Sequence, residues 1–245
     1  MAETFVGVDW SGESWLAVGF DRDGYDHTAL FDEIGELWQR YEGTSPRILV
    51  HMPIGLIEEG NSTRECDRQA KAVLGPRSRS VLTPPVREAT RKRRYPAAKR
   101  VNKRRADEEL SKQAFAISDQ IAAIDDLVRN VPEAAAAIRE SHPEVCFRAF
   151  AGEQLQYSKK IAGGYAERMA TLAGYDADAP PVVQSVAAAT GDARVAVDDV
   201  LDAVVLAYTA APGTGELRSL PADPPTDRKG IPVEIVYRSG TPLSP

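Results

Sequence analysis

FVGVDWSGESWLAVGFDRDGYDHTALF, residues 5–31, decides the fold. It reads as three short strands, F-V-G-V-D-W, S-W-L-A-V-G-F and Y-D-H-T-A-L-F, separated by S-G-E and D-R-D-G. Both separators carry the Gly and Asp chemistry that tight hairpin connections need. Asp32 then opens an amphipathic stretch through Tyr41, with Ile34, Leu37, Trp38 and Tyr41 at helical spacing, an acidic cap and a stop at Gly43. The apolar run R-I-L-V-H-M-P-I-G-L follows, halted by Pro53 and Gly55, as in strands buried on both faces. The opening is therefore β-β-β-α-β.

Further along, residues 62–74 suit a short helix capped by Ser62 or Thr63 and closed by Gly75, followed by a proline-punctuated loop. The spacing predicts one long helix over Asp107–Asn130 and another from V-P-E-A-A-A-A-I-R-E, with Pro132 near its first turn. H-P-E-V-C-F-R-A-F reads as a strand, Gly152–Ala179 as mixed helix and loop, and D-D-V-L-D-A-V-V-L-A-Y-T-A-A as an Ala-rich helix. P-V-E-I-V-Y-R is a candidate edge strand within a loop-rich segment, about 212–245. There is no internal repeat, and the expectation is a single domain over 1–245.

The composition of 245 residues, 43% hydrophobic and 27% charged, supports a core without staples. Eighteen Gly and seventeen Pro exclude a collagenous or wholly disordered chain. No stretch approaches the roughly 18–20 apolar residues of a membrane span, and the first residues lack a basic segment followed by an apolar run. The expectation is a cytoplasmic protein without a membrane partner, its two cysteines, Cys66 and Cys146, reduced.

The net charge of −6 hides a polarity. Arg87–Arg105 holds ten basic residues (Arg87, Arg91, Lys92, Arg93, Arg94, Lys99, Arg100, Lys103, Arg104 and Arg105) against Glu88 alone, +9 in 19 residues. The other 226 positions carry −15. The basic segment, within an insertion at about 76–106, is read as a grip on nucleic-acid backbone, DNA or RNA; the plainer reading is a solvated loop or a protein-binding segment.

Acids mark the candidate chemistry. Asp9 lies in the apolar first strand, where an unpaired carboxylate would be costly. Asp199 and Asp202 stand one turn apart on the late helix, and Glu144 immediately precedes V-C-F. Their structural alternatives are a turn cap at Ser11–Gly12 for Asp9, helix-dipole acids for Asp198 or Asp199, and a strand-edge carboxylate for Glu144. Asp202 resists such a reading best, lying inside an apolar helix. If these carboxylates converge, the economical ligand is a divalent metal, Mg²⁺ or Mn²⁺, and the chemistry phosphodiester hydrolysis with two ions activating water.

The β-β-β-α-β opening with Asp in strand one, together with the acidic pair on a late helix, resembles the ribonuclease H-like superfamily, particularly its Holliday-junction-resolvase branch. More closely, G-V-D-W-S-G, H-M-P-I-G-L, R-E-C-D-R-Q-A with L-G-P-R-S-R-S-V, S-H-P-E-V-C-F, S-K-K and D-D-V-L-D-A-V-V-L-A resemble the DUF429 family, in order from about residue 5 to 210. That resemblance implies a ribonuclease H-like α/β fold, with a five-stranded mixed sheet of order 3-2-1-4-5 flanked by helices and a basic loop/helix insertion. It also implies a metal-dependent nuclease in which Asp9, Asp199, Asp202 and Glu144 serve catalysis. One position departs: where such families end strand four in an acid, this chain has His51, a poor Mg²⁺ ligand and a better one for Mn²⁺ or Zn²⁺. Glu144 or Glu65 takes that place, the metal differs, activity is reduced, or His51 is simply hydrogen-bonded at a strand end.

Arg64, Arg68, Arg77, Arg79, Lys159 and Lys160, within or beside these motifs, are candidate phosphate binders, since guanidinium donors match phosphate oxygens; pairing with nearby acids is the alternative. Two other functions compete with a nuclease. A nucleic-acid-binding adaptor with a degenerate site follows from His51. A sugar-kinase-like or actin-like phosphotransferase follows from G-V-D-W-S-G, but requires two such domains, and G-P-R-S-R-S lacks Walker-A form.

Overall fold

The computed structural model describes residues 3–61 and 63–244. Strands β1 (Thr4–Trp10), β2 (Trp15–Phe20) and β3 (Tyr25–Phe31) form an antiparallel meander. β4 (Pro46–Val50) runs parallel to β1 on its other side, and β5 (Ile138–Glu140) parallel to β4. The result is a five-stranded mixed sheet of order β3-β2-β1-β4-β5.

The sheet's two faces read off the period-2 alternation of β1. Val6 and Val8 point into a core shared with helix α1 (Ile34–Tyr41) through Leu37, Trp38 and Tyr41. Phe5 points the other way, into the larger core. Gly7 shares Phe5's face and is the closest approach there: a Cβ on Gly7 would lie 2.1 Å from the Ala203 carbonyl oxygen and 2.2 Å from the Ala207 nitrogen. The missing side chain lets a helix lie directly on the central strand, and the next residue on that face is Asp9.

The remaining helices are α2 (Glu65–Leu74), α3 (Arg87–Thr90), α4 (Tyr95–Ala106), α5 (Lys112–Ala116), α6 (Ser118–Asn130), α7 (Pro132–Ala137), α8 (Pro143–Ala151), α9 (Ala162–Tyr175), α10 (Ala179–Ala189) and α11 (Val197–Ala210). α11 is the helix seated on Gly7 and is buried nearly all round, as its Ala-rich apolar composition demands. Among the described residues no helix is long and apolar enough to cross a membrane. Both cysteines are buried and free.

Several local expectations are corrected. H-P-E-V-C-F-R-A-F is helix α8, so Glu144 sits in a first helical turn rather than before a strand. Pro143 at the first position and an acid in the first turn are helix-start chemistry that outweighs the β-prone V-C-F. The fifth strand is instead the three-residue I-R-E. The long helix expected over Asp107–Asn130 is two, α5 and α6, broken at Ile117, and it starts late: Asp107 ends α4 in the left-handed region, and the Ser111 hydroxyl accepts from the Ala114 N–H at 3.0 Å to begin α5. α2 begins at Glu65 with Arg64 in the capping position, not Thr63; Ser62 lies outside the described residues. Glu33, not Asp32, caps α1. P-V-E-I-V-Y-R does form a strand, β7 (Ile235–Ser239), paired with β6 (Glu216–Leu220) in a two-stranded sheet that meets the end of β5 through a single bridge, Ser141 to Val236.

Candidate metal centre

The C-terminal ends of β1, β4 and β5 open on a cleft of about 310 Å³, where open α/β sheets generally place their ligands. Asp9, near the end of β1, is buried and faces the helix side. The His51 N–H donates to the Val8 carbonyl at 2.9 Å, extending the β1–β4 ladder by one residue and setting the imidazole beside Asp9. His51 Nδ1 and Asp9 Oδ1 are 2.8 Å apart. Although burial opposes its charge, Asp9 outweighs that effect and raises the His51 pKa.

Asp202 arrives from α11, fully buried, because Gly7 admits that helix to the strand. One ligand atom from each of Asp9, His51 and Asp202 lies within 4.8 Å of the other two. The Lys159 ammonium contacts Asp202 Oδ2, while Asp202 Oδ1 is buried with no hydrogen-bond partner. Burial pushes this carboxyl up, to about 7, against the pull of Lys159, and Asp9 adds to the push. A second cation is what such a group lacks. Two carboxylates and an imidazole, with one oxygen orphaned, are a donor set that fits a divalent metal ion.

Around this core the cleft gathers further charge. Lys159 lies 3.3 Å from Asp198, and Lys160 pairs with the same carboxylate at 2.5 Å. Burial works against the ionised form of Asp198, but Lys160 and Lys159 hold its pKa below the ordinary value. Asp199 also lines the cleft, yet its carboxylate accepts the Ala196 N–H at 3.1 Å, closing the first turn of α11; burial and then Asp9 raise its pKa. His142, which caps α8, packs edge-on to His51 with ring centroids 5.1 Å apart. Burial first, and His51 second, lower its pKa to about 3, and its Nδ1 has no partner.

Asp9, His51, Asp202, Asp199, Lys159 and Lys160 thus share one cleft. Glu144 lines it too, but its carboxylate is engaged by Arg168, Nη2 reaching both oxygens at 2.6 Å. Glu65 pairs with Arg68 on the surface. Arg64 is buried beneath the cleft, bonded to Asp67, Glu140 and the Ile54 carbonyl. Arg77 and Arg79 line a groove that adjoins the cleft through Ser80, Glu144, Lys159 and Lys160.

The basic segment lies elsewhere: none of Arg87–Arg105 lines the cleft. Seven of its ten basic side chains have carboxylate partners. Buried Arg87 meets Glu58, Asp125 and Asp227, and Arg91 meets Asp125 and Asp126. Lys92, Arg104 and Arg105 share Glu88, while Lys99 pairs with Glu109 and Lys103 with Asp107. Exposed Arg93, Arg94 and Arg100 have no such partner among the described residues.

Sequence reading missed two residues of this site. Asp198 passed as a dipole acid although it is four positions before Asp202, the same helical face. His142, inside the S-H-P-E motif, received no role; its position just before Pro143, at a helix cap, was the available signal.

Fold and cleft together define an α/β protein with a carboxylate–imidazole cluster that could hold a metal ion at the ends of its parallel strands. The chain belongs to the DUF429 family: that family's model, described as "Protein of unknown function (DUF429)", matches residues 7–226. No curated protein and no solved structure matches it.

Proposed function

We propose that this protein is a ribonuclease H-like, metal-dependent nuclease that hydrolyses phosphodiester bonds of nucleic acid at the Asp9–His51–Asp202 cleft. The observation that carries the reading is the orphaned Asp202 oxygen beside Asp9 and His51. The sheet order agrees with it, since β1 and α11 bring together acids from opposite ends of the chain.

Asp9, His51 and Asp202 would hold the ion, and an imidazole in the set favours Mn²⁺ or Zn²⁺ over Mg²⁺. A divalent ion there supplies Lewis-acid neutralisation of a phosphoryl oxygen. Lys159 and Lys160 add fixed positive charge at the cleft, and Arg77 and Arg79 extend it along the adjoining groove, where flanking phosphates are held. His142, neutral through the physiological range, offers its free nitrogen as a hydrogen-bond acceptor for a water or substrate hydroxyl. Exposed Arg93, Arg94 and Arg100 lie outside the cleft and serve as secondary backbone contacts.

The test is Mn²⁺-dependent cleavage of single- and double-stranded DNA and RNA by the parent protein and by Asp9→Asn. Cleavage by the parent that the variant loses supports the nuclease. Binding that survives Asp9→Asn, with no cleavage by the parent, supports a non-cleaving nucleic-acid-binding protein instead. That second reading draws on the His51–Asp9 and Lys159–Asp202 contacts, which partly balance the site's charge without a metal.

A further inference from the structure

Lys159 is not a loose surface lysine. Its segment, just before α9, is fixed from several directions. The Glu167 carboxylate accepts from the Gln156 and Tyr157 N–H groups at 2.7 and 3.1 Å. Arg168 donates to the Tyr157 carbonyl at 3.3 Å, and Arg168 is itself clamped by Glu144. Gly164 leaves no gap at all: a Cβ there would lie 1.9 Å from the Ser158 carbonyl oxygen and 3.0 Å from the Lys159 nitrogen. A backbone held this way delivers one ammonium to a chosen point.

That point lies between Asp202 and Asp198. The Lys159 ammonium contacts Asp202 and lies 3.3 Å from Asp198. Asp9, Asp198, Asp199 and Asp202 face Lys159 and Lys160 across the cleft, while Asp67, which also lines it, is paired with Arg64. Arg168 and Glu144 cancel each other. The three-residue donor group offers one place for an ion, and the Asp198 oxygen that a neighbouring ion would need is occupied by both lysines.

We propose that this cleft binds a single divalent cation, held by Asp9, His51 and Asp202, and that the Lys159 ammonium stands where a second ion would otherwise be needed, contacting a substrate phosphate oxygen. The inference rests on the metal-binding reading above and specifies its cation count. It also gives Glu144 a role: through Arg168, it is a positioning residue for the Lys159 segment.

The experiment is a Mn²⁺ titration of the full chain, read by calorimetry and by electron paramagnetic resonance, followed by titration of inorganic phosphate into the Mn²⁺-loaded protein. The parent is expected to bind one Mn²⁺ per chain and then phosphate. Lys159→Met should still bind one Mn²⁺, about tenfold more tightly because a neighbouring positive charge is gone. Its phosphate affinity should fall by roughly tenfold or more, with recovery in Lys159→Arg. Two Mn²⁺ ions on the parent would overturn this inference and leave the nuclease reading standing. Unchanged phosphate affinity in Lys159→Met would overturn it as well. No Mn²⁺ on the parent would remove both readings together. The count on the parent requires no variant, so a Lys159→Met chain that fails to fold leaves the decisive result in place.

Discussion

Two clusters of charge lie side by side at the ends of the parallel strands, and they differ in how completely they are paired. In the first, Arg64 donates to both oxygens of Glu140 at 2.7 Å, to Asp67 at 2.6 and 2.9 Å, and to the Ile54 carbonyl, while Glu140 also accepts the Ile54 N–H. This cluster is closed on itself and ties β5 to α2 and the segment after β4. In the second, Asp9 and Asp202 are buried while His51 and Lys159 reach the cleft surface, and one Asp202 oxygen is left without a partner. The first cluster is self-satisfied, while the second, on the proposed reading, is the cation site.

Substitutions in the two clusters should therefore have opposite signatures. Asp202→Asn is expected to lower Mn²⁺-dependent cleavage by ~10³-fold or more, the loss of one transition-state charge contact and its ion. Its urea-unfolding stability should stay within ~1 kcal/mol of the parent, because the substitution removes a buried carboxylate that burial already disfavours. Glu140→Gln should do the reverse, costing ~3–5 kcal/mol of stability by leaving Arg64 incompletely paired. Equal destabilisation by the two would erase the distinction.

Gly7→Ala sharpens the comparison through geometry. The added methyl meets backbone of α11, so a loss of ~1–3 kcal/mol or more is expected, with weakened Mn²⁺ binding as Asp202 withdraws from Asp9. Retained metal affinity in a destabilised Gly7→Ala would show that the close approach does not set the site.

The open cluster also carries a pH signature. The folded-state pKa of His142 lies at about 3 against an ordinary 6.5. As pH falls from 6.5 to 3 the unfolded chain takes up this proton and the folded chain does not. Stability is thus lost on acidification, by up to ~1.4 kcal/mol per pH unit. Denaturation curves of His142→Gln should lack that share of the slope.

The smallest effect belongs to the basic segment. Arg93→Ala, Arg94→Ala and Arg100→Ala combined should reduce the salt dependence of nucleic-acid binding by at most ~0.9 per lost phosphate contact, leaving cleavage chemistry intact. Deleting the whole segment is a poorer test, since Arg87 is buried among three carboxylates and Ala98 and Val101 pack in local cores.

What the sequence made legible was local. The first 31 residues carry their own turn chemistry, and the alternation of β1 fixes which residues share a face. From these, the meander, the central position of Asp9 and the late apolar helix all follow. What it hid was either too short or too distant. Three residues of β5 give no periodicity to read, and Pro143 and Glu144 start a helix in a stretch whose later residues favour a strand. The +9 of Arg87–Arg105 looked free because Glu58, Asp125 and Asp227, which neutralise part of it, lie far away in sequence. Arg64 pairs with Asp67, one of the nearby acids the sequence offered, and with Glu140, 76 positions away, which it did not. Charge counted along the chain finds candidate sites; only pairing across the fold separates a binding charge from a structural one.

On the proposed reading the open Asp9–His51–Asp202 cluster is a cation site. Its most direct test is calorimetric titration of Mn²⁺ into the parent and Asp202→Asn at matched urea stability. Saturable binding by the parent that Asp202→Asn loses is the expected result. Equal binding by both chains, or none by the parent, would contradict the claim.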